Sequence, residues 1–205
     1  DQILEGLDRG DFIAHLQPLV AASDMSLVGV EALARWNHPE RGLLRPGVFL
    51  PIAEELGVTA TLDRLVMDRA FQMVAELNAH GAGIPKVSLN LSYRRLTNPD
   101  FLARLNDLPP SGFQLAFELL ETIDFDDQED SVFWTIDAIR ERGIEIQIDD
   151  FGSGRASMTS LLKVRPDRVK IDRALVAAVA ENGSETRLFV KAIADMARAL
   201  GIGLT

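Results

Sequence analysis

The sequence predicts an α/β fold of the β/α-barrel type, and three observations carry that prediction. Short apolar runs of strand type alternate with segments of helical period, which implies parallel pairing with helices covering the sheet. Four of the runs end in a metal-loving or ionisable side chain: Val87-Ser88-Leu89-Asn90, Leu115-Ala116-Phe117-Glu118, Ile146-Gln147-Ile148-Asp149-Asp150 and Val169-Lys170-Ile171-Asp172. An earlier run, Leu27 to Trp36, carries Glu31 and Arg35 among the same kind of residues. Functional groups at the carboxyl ends of successive strands suit a barrel, whose sites lie on that face. An open doubly wound sheet is the alternative, but it gathers its ligand contacts at one switch point.

Each element follows from local chemistry. Phe12 to Val20 reads as a first strand and Leu27 to Trp36 as a second. Asn37 to Pro46 reads as a loop, broken by Pro39, Gly42 and Pro46. Val48 to Leu56 is a short helix stopped by Gly57. Leu62, Leu65, Val66, Ala70, Met73, Val74 and Leu77 recur with a 3.6-residue period and mark a long helix from Thr61 to His80. Lys86 to Leu91 is the third strand. Asn98-Pro99 is a helix start, with Asn as cap and Pro in the first turn. Phe113 to Leu119 is the fourth strand, Asp130 to Arg142 a helix closed by Gly143, Glu145 to Ile148 the fifth strand and Arg168 to Ile171 the sixth. Ser184 to Leu200 is a helix closed by Gly201, and Ile202 to Thr205 begins a seventh strand.

Composition bounds the function. The chain has 205 residues, enough for one domain with a sizeable core. It lacks cysteine, so neither a disulfide framework nor a thiolate metal site is available. No apolar run approaches the roughly 18 residues of a membrane span, and no secretory signal is visible. A net charge of −10 argues against a nucleic-acid polymer as partner. It is compatible with a small anionic ligand held near bound metal ions.

A carboxylate buried beside a core strand is costly unless it is paired or coordinates a cation. Five strands that each deliver such a group point to one shared site, rich in the oxygen ligands that hard divalent cations prefer. Single motifs are less specific. Asp149-Asp150 before Phe-Gly-Ser-Gly also suits a capped turn, and Lys170 alone suits a snorkelling surface lysine. His15, His38 and His80 show no ligand spacing. No phosphate-binding Gly-x4-Gly-Lys loop exists, and the Asp-Phe-Gly lacks the other elements of a kinase.

Val28-Gly29-Val30-Glu31-Ala32-Leu33-Ala34-Arg35-Trp36 resembles the signature of the EAL-domain phosphodiesterases of cyclic di-GMP. Leu16-Gln17-Pro18, Asn90-Leu91-Ser92, Glu118-Leu119-Leu120-Glu121-Thr122, Asp149-Asp150-Phe151-Gly152 and Lys170-Ile171-Asp172 follow the family's blocks in order and cover essentially the whole chain. The resemblance implies a TIM-like barrel that linearises cyclic di-GMP to pGpG with two divalent cations, Mg²⁺ or Mn²⁺. It implies metal ligation by Glu31, Asn90, Glu118, Asp149 and Asp150, with Asp149 bridging the two ions and Asp150 serving the second. Lys170 resembles the residue that helps hold the attacking water. Glu121 resembles the glutamate that orders the loop from Phe151 to Ser157. Gln17, Leu33, Arg35, Asn90 and Asp172 fall at substrate-contacting positions, with Arg35 on a phosphate.

Two departures accompany the match. The loop carries Ser153, Arg155 and Ala156 where many relatives have Thr and Tyr-Ser. Family members also continue past the point matching Thr205 with a catalytic glutamate, a helix and a last strand. The chain is therefore expected to be a single EAL-type domain, 1–205, whose C-terminal portion is missing and whose barrel is truncated before its last strand. A catalytically inactive domain, serving as a cyclic di-GMP receptor or protein-interaction module, is the alternative. The resemblance also implies a cytoplasmic domain, in a parent that could itself be membrane-anchored, flanked by other signalling domains and compatible with a homodimer.

Overall fold

The computed structural model describes residues 2–106, 112–121, 130–153, 158–181 and 184–205. Thr122, Arg155, Ala156 and Ser157, on which parts of the sequence reading fall, lie outside the described residues. The chain divides into two compact units, Asp1–Ala116 and Phe117–Thr205.

The first unit opens with α1 (Gln2–Arg9), followed by β1 (Phe12–Val20) and β2 (Leu27–His38). These two strands pair antiparallel, from Phe12↔Trp36 to Leu19↔Gly29, the exception to the parallel pairing expected where strands alternate with helices. The physical reason is the link. Residues 21–26 are too few for a parallel crossover, which needs a dozen or more. They close instead by Ala21 N–H to Ser26 O, with Met25 at φ 61° and the Asp24 carboxylate accepting from Ser26 N–H at 3.0 Å and from its hydroxyl at 2.7 Å.

The stretch read as a loop contains a further strand, β3 (Gly42–Leu44), antiparallel to β2 through Trp36↔Leu44 and His38↔Gly42. Then come α2 (Pro46–Glu55), α3 (Thr59–Ala79), β4 (Lys86–Asn90), α4 (Tyr93–Leu96) and α5 (Phe101–Asn106). Here α5 starts two residues past Asn98-Pro99; Asn98 Oδ1 accepts Asp100 N–H at 2.9 Å in the turn before it. The first parallel pair is β2–β4, with Val30↔Val87 and Glu31↔Ser88. It brings the backbones close at Gly29, where a Cβ would lie 3.0 Å from the Lys86 carbonyl oxygen.

The core beneath is aromatic. Phe12 stacks on Trp36 at 5.1 Å and meets Phe49 edge-on at 5.3 Å, with Ile3, Leu44, Ala53 and Leu62 around them. This core fixes which faces of β1 and β2 point inward, and so leaves Gln17 and Glu31 for the other face.

In the second unit, β5 (Gln114–Leu120), inside which the division falls, leads to α6 (Asp130–Glu141), β6 (Glu145–Phe151), α7 (Met158–Val164), β7 (Arg168–Ile171), α8 (Arg173–Ala180), α9 (Ser184–Leu200) and β8 (Gly203–Leu204). The strand order is β5-β6-β7-β8, and the β6–β7 and β7–β8 pairs are parallel. Val164, Val169, Ile136, Ile139 and Ile146 are fully buried, as expected of strands covered by helices. The seventh strand of the sequence reading appears as β8, joined to β7 by Gly203 N–H to Asp167 O and by Thr205 N–H to Val169 O.

One glycine is required by both its backbone and its surroundings. Gly152 sits at φ +95°, and a Cβ there would stand 2.6 Å from Leu175 Cδ1. Gly152→Ala is expected to cost roughly 1–3 kcal/mol in urea unfolding, with Leu175→Ala recovering the steric part in the double variant. An unchanged midpoint would contradict this packing.

Candidate functional site

In the second unit, β5 places Glu118 in a fully buried position, 0 % exposed. A carboxylate there needs a cation. Lys170, reaching across from β7, supplies one: its Nζ lies 2.7 Å from Glu118 Oε2 and 3.0 Å from Asp149 Oδ1. The lysine is only 13 % exposed and Asp149 only 16 %, so the contacts are short, charge-assisted and shielded from solvent. A carboxylate oxygen of Glu118 and one of Asp149 lie within 4.8 Å of each other.

Asp149 and Asp150 sit at an irregularity in β6. Pairing with β7 runs Gln147↔Arg168 and Ile148↔Val169, then resumes at Phe151↔Ile171, so β6 carries one extra residue. Such a bulge interrupts strand alternation and re-aims side chains, a device common beside active sites. Asp150 takes up the distortion at φ 56°, a left-handed conformation that Asp tolerates better than most residues. Burial is the main influence raising the Asp150 pKa above its ordinary value. The adjacent Asp149 and then Asp172 add to it, and Lys170 opposes them. Clustered negative charge of this kind favours a cation.

Glu121 follows β5 and is held beside β6 by its N–H to Asp149 O at 3.1 Å. Its Oε2 accepts from Ser153 N–H at 3.0 Å and from the Ser153 hydroxyl at 2.6 Å. Glu121 thereby anchors the segment that leaves the Asp149-Asp150 bulge. Its partner Ser153, one of the departures noted in the sequence, is the residue that makes the double contact. Asp172 caps α8, its Oδ1 accepting from Ala174 N–H at 2.9 Å and Leu175 N–H at 3.3 Å.

In the first unit, the hairpin register makes Gln17 the cross-strand partner of Glu31. Strand alternation then puts Leu33 and Arg35 on the same face as Glu31. On the other side of Glu31 stands Ser88, its parallel partner, with Asn90 two residues further along that face. Five expected site residues thus share one surface of a three-stranded sheet. Glu31 is buried, and Arg35 Nη1 donates to Ala34 O at 2.7 Å. Ser88, which the sequence reading passed over, is fully buried on this face, and its hydroxyl has no hydrogen-bond partner among the described residues. Its position two residues before Asn90 is the signal that could have found it.

The donor set fits a hard divalent cation. Every candidate ligand is an oxygen, carboxylate or amide, and the closest pair already shares one positive charge.

The model of the EAL domain family matches residues 1–205. The chain belongs to the EAL domain family. It is 30 % identical over 204 residues to MucR of Pseudomonas aeruginosa, a bifunctional diguanylate cyclase/cyclic di-GMP phosphodiesterase, covering 97 % of this chain and 29 % of MucR. It is 28 % identical over 205 residues to PdeG of Escherichia coli, a probable cyclic di-GMP phosphodiesterase, covering 97 % of this chain and 39 % of PdeG. This EAL domain therefore spans well under half the length of these relatives. Its fold matches the solved MucR phosphodiesterase in complex with c-di-GMP, with a TM-score of 0.85 at 30 % identity over 99 % of this chain and 83 % of that one. The α/β, TIM-like class expected from the strand ends is the class of its structural relatives. Among the described residues no helix is long and apolar enough to cross a membrane.

Proposed function

We propose that this EAL domain hydrolyses cyclic di-GMP to linear pGpG. The observation that carries the reading is the buried Glu118–Lys170–Asp149 arrangement beside a strand bulge, in a chain whose family includes cyclic di-GMP phosphodiesterases. Glu118, Asp149 and Asp150, with Glu31 and Asn90, hold two divalent cations, Mg²⁺ or Mn²⁺. Bound there, the cations supply activation of water and neutralisation of the phosphodiester.

The chain's own groups do the rest. The Arg35 guanidinium grips phosphate oxygens in a planar fork that lysine cannot reproduce. Gln17 and Leu33, on the same face, position the nucleotide, and Asp172 completes the substrate contacts. Lys170 balances the carboxylates and orients the water. Glu121, through Ser153, holds the segment that follows Asp150. The domain serves as one module of a longer cytoplasmic signalling protein, in the manner of its much longer relatives, and acts as a homodimer.

The test is chromatography of cyclic di-GMP incubated with the chain and Mg²⁺. Conversion to pGpG that stops on chelation is the expected result. Intact cyclic di-GMP retained by a folded chain would replace the phosphodiesterase with a receptor.

A further inference from the structure

A polar cavity lies wholly within the first unit. It has a volume of about 150 Å³ and is lined by Ala60, Thr61, Arg64, Arg95, Asn98, Phe101 and Arg104. The lining includes three arginines and no acidic residue.

Its floor is Arg95, on α4, which is only 5 % exposed. An arginine so buried is costly and stays charged. It is packed rather than loose: Nη2 lies 3.2 Å from Met67 Sδ, and the guanidinium stands 5.1 Å from the Phe101 ring centroid. Burial is the main influence lowering its pKa below the ordinary value. Asp63 and Asp68 oppose this, while Arg64 and Arg104 add to it. Asp63 is itself engaged, accepting Ser92 N–H at 2.9 Å, and neither acid lines the cavity. The two rim arginines, Arg64 on α3 and Arg104 on α5, are exposed. Two acids facing three guanidiniums leave positive charge in surplus. The first turn of α3 adds to it: Ala60 and Thr61 line the cavity, and this 21-residue helix carries no side-chain cap.

We infer that this cavity is a binding site for the phosphate group of a small molecule. Its volume matches a cavity able to take a benzene-sized guest, ample for one phosphate group. Three arginines lining one space match a phosphate, which carries a charge of about −1.5 to −2, better than a singly charged carboxylate. Asn98 supplies a further polar contact at the rim. The site uses none of the residues assigned to cyclic di-GMP hydrolysis, so its test stands apart from that activity.

The experiment is an NMR titration of the chain with inorganic phosphate at constant ionic strength, following the arginine Nε–H signals, with acetate and glycerol phosphate as parallel probes. The expected result is saturable shifts centred on Arg64, Arg95 and Arg104 with phosphate, and at least tenfold weaker response to acetate. Arg64→Gln combined with Arg104→Gln, both exposed and so compatible with folding, is expected to weaken phosphate binding tenfold or more. Glycerol phosphate binding as tightly as phosphate assigns the site to a phosphorylated metabolite; binding of phosphate alone assigns it to the free ion; both uphold a phosphate site. Linear, unsaturated shifts, equal response to acetate, or unchanged binding in the double variant would overturn it.

Discussion

Asp149→Asn is expected to reduce cyclic di-GMP turnover by roughly 10³-fold or more while leaving the fold intact. The substitution keeps the size of the side chain but removes a charge at the point where the β6 bulge, Lys170 and the Glu118 carboxylate meet. Metal-supplied stabilisation is worth several kcal/mol of barrier, and each ~1.4 kcal/mol is tenfold in rate. Circular dichroism should match the parent chain. Hydrolysis at an unchanged rate would remove Asp149 from the metal centre.

Lys170→Met carries the largest expected effect on stability. It leaves Glu118, 0 % exposed, without the cation that lies 2.7 Å from it. Breaking a buried pair from one side typically costs about 3–5 kcal/mol, because the remaining charge keeps its desolvation penalty. Urea unfolding with chelator present should show a loss of that order. Added Mg²⁺ should return part of it, since a ligand that binds only the folded state stabilises by mass action. A variant as stable as the parent in chelator would mean that Lys170 does not hold the site together. One equally unstable with and without Mg²⁺ would mean that the carboxylates beside it do not take the ion.

Much of this molecule is legible in its sequence, for reasons that can be traced to particular residues. The 3.6-residue recurrence from Leu62 to Leu77 locates α3 to within two residues at either end. The runs ending in Asn90, Glu118, Asp150 and Asp172 appear as β4 to β7, because a costly polar group beside an apolar run needs a purpose. The antiparallel β1–β2 pair was legible in principle. Six linking residues cannot make a crossover, and link length should have outweighed the expectation of parallel pairing.

Other features were not legible because they are decided by tertiary contacts. β3 is three residues long and exists through its pairing with Trp36 to His38. The bulge at Asp149-Asp150 depends on how β6 registers against β7, which no local pattern encodes. The partnership of Gln17 with Glu31, and of Glu31 with Ser88, follows only once the register is known. The cavity around Arg95 joins residues from three helices that share no motif.

The central claim is that the Glu118–Asp149 carboxylates form a metal centre. The most direct measurement is anomalous scattering from a crystal of the Asp149-containing parent chain soaked in Mn²⁺, with the Asp149→Asn variant beside it. Two manganese peaks about 3.5–4 Å apart, in contact with Glu118 and Asp149, are expected in the parent chain, and their loss in the variant. Peaks elsewhere, or none at these carboxylates at saturating Mn²⁺, would contradict it.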